Sequence, residues 1–253
     1  MDKDITPIIE GWDYKPNELS VRKIMGVDGK VKIQLRIDLG LLQMEWTGRP
    51  DGKTPYGKDS LLYYYLPLLE EHERKYGSTE NFKLNTEDCV KLQMEALQYY
   101  HRRICFLELE EYERAKEDAE HNLKIMDLVK HYAEDDRDKL ALNQYRPFVT
   151  MHRVRAEALI ALRKKDYEQA IRTIHDGIEE IEQFFRDYER EDLIEESVEI
   201  RFLRDWSDEI SRTRPLGLRE QLQRELQLAV DREDYELAAR IRDRIRQMGE
   251  NGG

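Results

Sequence analysis

Along most of the chain, apolar residues recur every three or four positions between charged ones, the spacing of helices with one buried face. Residues 21–46 differ. Val31, Ile33, Leu35 and Ile37 alternate with Lys32, Gln34, Arg36 and Asp38, the period of a strand with one buried face. Residues 21–25 pair back across Asp28-Gly29, a dipeptide suited to a tight turn with positive φ at both central positions. Leu42, Met44 and Trp46 continue the alternation beyond Gly40. The pattern predicts a small antiparallel sheet of two or three strands, preceded by an extended lead-in over residues 1–19. A helix beginning near Asp59-Ser60 carries Leu61, Leu62, Tyr65, Leu68 and Leu69 inward and ends at Gly77. It is the expected cover for the sheet, kinked or split at Pro67.

From residue 85 onward the pattern is one of helix hairpins. A short phrase, acid-Tyr-Glu-x-Ala, marks the turns: Glu111-Tyr112-Glu113-Arg114-Ala115, Asp166-Tyr167-Glu168-Gln169-Ala170 and Asp234-Tyr235-Glu236-Leu237-Ala238. The acid is expected at or near the N-cap, with Tyr and Ala turned inward and Glu in the first turn, where the helix dipole favours it. In the first hairpin, Asn85 or Thr86 caps a helix whose inward residues are Val90, Leu92, Leu97, Tyr100, Ile104 and Leu107; Ala119, Leu123, Met126 and Val129 mark the return. In the second, Pro147 interrupts a helix that continues through Val154, Ala158, Leu159 and Leu162, and Asp166 caps a partner carrying Ala170, Ile171, Ile174, Ile178 and Ile181. A further helix spans about residues 192–210. Ala158, Tyr167, Ala170 and Gly177 resemble the tetratricopeptide repeat. The tyrosines of the phrase are spaced by 55 and then 68 residues, against about 34 in that repeat, so longer hairpins than a regular superhelix are expected. The fold class read from the chain is mainly α: tetratricopeptide-like helical hairpins, a small N-terminal antiparallel β-hairpin or meander, and a C-terminal two-helix hairpin. The expected domains are residues 1–80, 81–211 and 215–249.

Composition narrows the function. Charged residues make up 38% of the chain, with 13 Gly and 7 Pro, which fits long solvent-facing helices. A net charge of -12 argues against a protein that coats nucleic acid, because neutralising phosphates needs a concentrated basic face. Cys89 and Cys105 stand too far apart along one helix to bridge, and a reducing cytoplasm is expected. No secretory signal is read at the start and no membrane span anywhere. His101 and Cys105 share a helix face but lack a second ligand pair, so no metal and no cofactor are expected. No nucleophile sits in a strained glycine turn and no carboxylate pair stands isolated in an apolar setting, so the chain is read as a non-enzyme. Residues 48–58 imitate a phosphate loop, but three residues separate Gly48 from Gly52, where a P-loop has four, and Pro55 stands where its helix must start. The segment is read as a connector with two turns. Arg49, Lys53 and Lys58 make it the candidate functional loop of this half.

The run from Leu218 to Ile245 has Leu218-x3-Leu222, Ala229-Val230, the turn Asp234-Tyr235-Glu236, Ala238-Ala239 and Ile241-Arg242-Asp243-Arg244-Ile245. It resembles the UVR domain, the UvrB/UvrC motif. With Leu39-Gly40-Leu41-Leu42-Gln43-Met44-Glu45 in the β-rich start, the layout is similar to that of bacterial proteins ending in this hairpin. The resemblance implies a two-helix protein-interaction module of the kind that couples excision-repair subunits and also occurs in a Clp-type ATPase and in an activator of a protein arginine kinase. The zinc-binding Cys-x-x-Cys pairs of that activator are absent from this sequence. The implied partner is another protein: a Clp-type ATPase, a repair subunit, or a second copy in a homo-oligomer. Leu222, Leu226, Ala229, Tyr235, Ala238, Ala239 and Ile245 are expected to close the hairpin core, leaving Leu218, Leu237 and Ile241 as the docking edge. Partner-binding candidates are thus Leu218, Leu222, Tyr235, Leu237, Ile241, Arg242 and Ile245. The alternative reading is a repair-linked accessory factor touching DNA through Arg49, Lys53 and Lys58 or through Arg240–Arg246.

Overall fold

The computed structural model describes residues 4–215 and 217–250, and their side chains except those of residues 218–220 and 248–250. The chain divides into two compact units, Met1–Ser207 and Asp208–Gly253. In the first, a short helix α1 (Thr6–Ile9) precedes a meander of β1 (Val21–Met25), β2 (Val31–Ile37) and β3 (Gly40–Glu45). The strands pair in the order β1-β2-β3, with Met25 opposite Val31 and Ile37 opposite Gly40. The β1–β2 turn differs from the expected one. The Gly29 N–H donates to the Gly26 carbonyl and, of Asp28 and Gly29, only Gly29 has positive φ (74°). The Asp28 carboxylate instead accepts from the Lys30 N–H.

The sheet has two covered faces where the alternation predicts one. Lys32 and Gln34, expected in solvent, are buried. The Lys32 ammonium pairs with Asp28 and Glu45, and Gln34 bonds Arg22 and Gln43 across the strands. The lead-in lies alongside: the Arg36 Nε donates to the Trp12 carbonyl, and the Arg22 guanidinium sits 4.0 Å over the Trp12 ring. Cross-strand bonding and cation–π contact let these polar side chains go under cover without losing their partners.

Six helices complete most of this unit: α2 (Leu61–Tyr76), α3 (Thr86–Glu108), α4 (Tyr112–Tyr132), α5 (Asp136–Asn143), α6 (Arg146–Arg163) and α7 (Tyr167–Asp187). Helix α2 begins at the Ser60 cap, runs as one helix through Pro67 and ends at Gly77 in the left-handed conformation. It does not cover the sheet. Ile33, Leu35 and Met44 pack with Cys105 and Phe106 of α3, Ala115 of α4 and Ala156 of α6, while α2 shares a second cluster with α3 and α4. The expected boundary at residue 80 therefore does not exist: the meander has too little apolar area for its own core and borrows that of the hairpins. The other boundary falls inside α8 (Val198–Thr213), ahead of the expected linker. Pro147 starts α6 instead of interrupting it, and α5 is a separate helix.

Along α3 the expected inward set is partly reversed. Val90 and Leu97 are about half exposed, whereas Cys89, Leu92, Glu95, Ala96, Tyr99, Arg102, Arg103, Cys105 and Phe106 are buried. Three charged residues sit on the buried stripe, so hydropathy alone places the helix on the wrong face. Both cysteines pack as small apolar groups. Burial pushes the Cys89 thiol up to about 11 and the Cys105 thiol to about 12.

The repeated phrase marks one turn geometry. Glu110, Lys165 and Glu233, each just before the acid, adopt φ of 58°, 61° and 60°. The following N–H groups of Glu111, Asp166 and Asp234 donate to the carbonyls of Phe106, Ala161 and Ala229 at 2.9, 3.0 and 2.9 Å. The preceding helix thus ends in a Schellman closure. Asp166 and Asp234 then cap the next helix by accepting from the Gln169 and Leu237 N–H groups; Glu111 makes no such bond. Ala115, Ala170 and Ala238 are buried. Tyr112 and Tyr167 are half-buried, but Tyr235 is exposed, contrary to the inward role expected for it.

Two predictions follow from backbone and packing. An L-residue in the left-handed region is strained by roughly 1 kcal/mol, so Glu110→Gly and Lys165→Gly should each raise stability by about 0.5–1 kcal/mol, read as a later urea midpoint at unchanged slope. Gly177→Ala should do the opposite: a Cβ on Gly177 falls 2.3 Å from Cγ2 of Val154 on α6. Overpacking costs about 1–3 kcal/mol, more than the roughly 1 kcal/mol that Ala gains in helix propensity. The double variant Gly177→Ala/Val154→Ala should relieve the clash, and a stabilised single variant would show that the two helices separate freely.

Candidate functional site

The second unit contains a hairpin of α9 (Leu218–Asp231) and α10 (Tyr235–Glu250). Its core is small. Leu222 and Ala229 face Ala238 and Ile241, with Leu226 and Ile245 partly buried against them. The spacing 222, 226, 229 on one helix and 238, 241, 245 on the other gives each a single narrow apolar stripe. The turn is fixed by the Schellman closure at Glu233 and the Asp234 cap.

The expected docking residues separate into two groups. Leu222 and Ile241 are core, and Ile245 is half-buried against it, so Ile241 is not on the outer edge. Tyr235 and Leu237 are exposed, at 67% and 40%, as are Leu228 and Val230. These four large apolar side chains lie within one helical turn on either side of the connection between α9 and α10. Leu228 and Val230 are assigned neither to the core nor to the docking edge from the sequence, because the stripe through Leu222, Leu226 and Ala229 leaves the other apolar residues of α9 without a role. Arg242 is exposed and pairs with its neighbour Asp243 at 2.9 Å. The side chain of Leu218 and the Gly252-Gly253 end lie outside the described residues.

In the first unit, the connector 48–58 is held from below. Arg102 makes two bonds to the Asp118 carboxylate, at 2.9 and 2.7 Å, while its Nη1 donates to the carbonyls of Glu45 and Gly48. Arg49, expected as a free cation of the loop, is 11% exposed at its side chain, with Nε 3.1 Å from the Glu95 carboxylate in an ion pair that lacks hydrogen-bond alignment. The same carboxylate accepts the backbone N–H groups of Leu61 and Leu62, at 2.8 and 3.2 Å, and touches the His121 ring at 3.2 Å. Glu95 therefore caps α2 from α3, and Arg49 neutralises it. Only Lys53 and Lys58 of the three loop cations face solvent. The connector contains two turns, closed from Gly52 N–H to the Arg49 carbonyl and from Gly57 N–H to the Thr54 carbonyl.

Sequence reasoning also missed the pair Arg103 and His152. The Arg103 Nε lies 3.2 Å from His152 Nδ1, both residues are buried, and the Arg103 Nη1 has no hydrogen-bond partner. Burial first, and the nearby Arg103 and Arg155 guanidinium groups next, push the His152 imidazole down to about 3. It stays neutral, with Nδ1 available as an acceptor. No group of three or more His, Cys, Asp and Glu side chains among the described residues is placed to hold a metal.

The His152 shift predicts an acid-labile fold. The unfolded chain takes up a proton at this histidine below about pH 6.5, whereas the folded chain refuses it until about pH 3. Stability therefore falls as pH drops through that window and levels below it. The histidine accounts for about 2 kcal/mol of the loss between pH 7 and pH 5. Urea titrations at the two pH values should show this component disappearing in His152→Gln, which retains an acceptor without a titrating ring; an unchanged pH dependence would assign the loss to other groups.

Among the described residues, no helix is long and apolar enough to cross a membrane. No curated protein and no solved structure matches the chain. Residues 218–250 match the family model for the UvrB/uvrC motif, spanning α9, the capped turn and α10; the chain thus carries a UVR hairpin.

Proposed function

We propose that this chain is a non-enzymatic adaptor whose UVR hairpin docks a partner protein. The observation that carries the reading is the disposition of apolar side chains on α9 and α10. The hairpin core is built on four buried residues, two of them alanine, while Leu228, Val230, Tyr235 and Leu237 are left in water beside the turn. A two-helix unit with so small a core gains little from its own folding, and exposed aromatic and aliphatic groups are the usual anchors of protein interfaces. The motif is a protein-interaction module in repair and Clp-related proteins, so a Clp-type ATPase, a repair subunit or a second copy of the chain is the partner of choice. The first unit acts as the scaffold that presents or regulates the hairpin.

The accessory-factor reading, with contact to DNA, loses support from the placement of Arg49 under Glu95. Net charge of -12 opposes it further.

The full chain tests the adaptor reading. Immobilised wild-type protein should bind a purified Clp-type ATPase or excision-repair subunit saturably, or self-associate in sedimentation. Leu237→Asp should weaken that binding by at least about tenfold, as loss of an interface anchor does, with helical content unchanged. Ile241→Asp is unsuitable because it places a charge in the hairpin core. Failure to bind either protein class and to self-associate would remove the adaptor reading; salt-sensitive binding to duplex DNA in its place would install the alternative.

A further inference from the structure

A cleft of about 260 Å³ opens in the first unit between the start of α2 and the middle of α4, and the hairpin motif gives it no role. Asp59 and Tyr63 stand on one side of it, and Glu117, Glu120 and Lys124 on the other. Asp59, Glu117 and Lys124 are exposed, and Glu120 reaches the Lys116 ammonium at 3.6 Å. At the base, Arg102 and Asp118 neutralise each other. The rim thus sets three carboxylates against one ammonium.

Surface carboxylates are ordinarily satisfied by water, so the base of the cleft carries the stronger signal. Tyr99 and His121 line it, 5% and 6% exposed, with their rings stacked at 3.7 Å. The His121 Nε2 lies 3.2 Å from the Glu95 carboxylate. A carboxylate only accepts, so Nε2 carries the hydrogen, and in the neutral ring Nδ1 is left as an acceptor. Burial holds the Tyr99 phenol above its ordinary range, so it remains a hydroxyl. Neither the Tyr99 hydroxyl nor the His121 Nδ1 makes a hydrogen bond within the chain, yet both keep accessible surface on residues that are otherwise enclosed. Nearly buried polar atoms without partners are costly, and a ligand that bonds them removes that cost. The imidazole nitrogen and the rim carboxylates ask for donors with positive charge, and the half-exposed Tyr63 ring offers a π face that attracts cations. Among the described residues no three His, Cys, Asp or Glu side chains are placed to hold a metal, so the cation that fits is an organic one. We infer that this cleft binds an organic ammonium or guanidinium group, which donates to His121 Nδ1 and the Tyr99 oxygen at the base and is held by the Asp59 and Glu117 carboxylates at the rim. The site is independent of the UVR hairpin.

Butylammonium, butylguanidinium and butan-1-ol serve as probes, since they share a chain and differ at the head group. Calorimetric titration of the full chain should show saturable binding of at least one cation, about tenfold or more tighter than the alcohol, the margin a charge-assisted hydrogen bond supplies. Ring resonances of Tyr63 and His121 in the wild-type protein should shift on the same titration. The double variant Asp59→Asn/Glu117→Gln changes only exposed residues, so it should fold normally and lose the preference for the cation. Lys124→Gln, which removes the like charge from the rim, should bind the cations more tightly. A blocked peptide with one arginine between two glycines separates the two sources of such a group: tighter binding than butylguanidinium assigns the cleft to a protein side chain, weaker binding to a free small cation. Absence of saturable binding, equal affinity for cation and alcohol, a preference that survives the double variant, weaker cation binding in Lys124→Gln, or binding that leaves Tyr63 and His121 unmoved would each overturn the assignment.

Discussion

Helix α3 carries three charged residues on the face that an ordinary amphipathic helix reserves for leucine, and the first unit is arranged around the need to satisfy them. A charge removed from water is destabilised by several kcal/mol unless it is paired and its hydrogen-bonding capacity filled. Arg102 has a partner at every nitrogen: Asp118 on α4 takes one edge of the guanidinium, through Nε and Nη2, and the carbonyls of Glu45 and Gly48 take Nη1. The end of β3, the connector and α4 are thereby fixed to one side chain. Glu95 satisfies two of the free N–H groups at the start of α2 and is neutralised by Arg49. These bonds explain why α2, though adjacent in sequence to the sheet, is drawn to α3 and leaves the sheet to other helices. Arg103 breaks the pattern. With a neutral imidazole at Nε and nothing at Nη1, it is the place where the ionic framework is incomplete.

What was legible in the chain was whatever depends on local pattern. The positions of the strands, the Asn85, Ser60 and Asp166 caps, the Gly77 stop and the inward stripe of α7 all rest on residues within one or two turns of each other, and they stand where expected. The UVR hairpin was legible for the same reason, since its motif is a run of neighbouring residues with fixed roles. Failures came where a long-range partner changes the meaning of a residue. Val90 and Leu97 look like core and are half exposed, because Glu95, Arg102 and Arg103 hold the opposite face inside. Lys32 and Gln34 look solvent-facing and are covered, because their partners come from adjacent strands and the β1–β2 turn. Arg49 looks like a free loop cation for the same reason: no local pattern reveals Glu95, forty-six positions further on.

The three acid-Tyr-Glu-x-Ala turns show how far a shared phrase can be taken. All three close the incoming helix through a left-handed non-glycine residue and bury the alanine of the outgoing one. The phrase therefore encodes a backbone geometry that the chain uses three times. The tyrosine is the residue that distinguishes the copies. Tyr112 lies under the Arg163 guanidinium, at 4.5 Å, and Tyr167 is half-buried, while Tyr235 is exposed.

That difference bears directly on the hairpin. A ring buried in the first unit contributes to packing there, and the same ring at 67% exposure contributes almost nothing to the stability of α9 and α10. Its apolar area, with that of Leu228, Val230 and Leu237, is instead available to a second molecule, and aromatic groups held by a fixed turn lose little conformational freedom on binding. The Schellman closure and the Asp234 cap supply that fixed turn without drawing on the small core. The hairpin thus separates its parts: backbone hydrogen bonds set the turn, four core residues hold the helices together, and the side chains beside the turn stay exposed, as the proposed docking role requires.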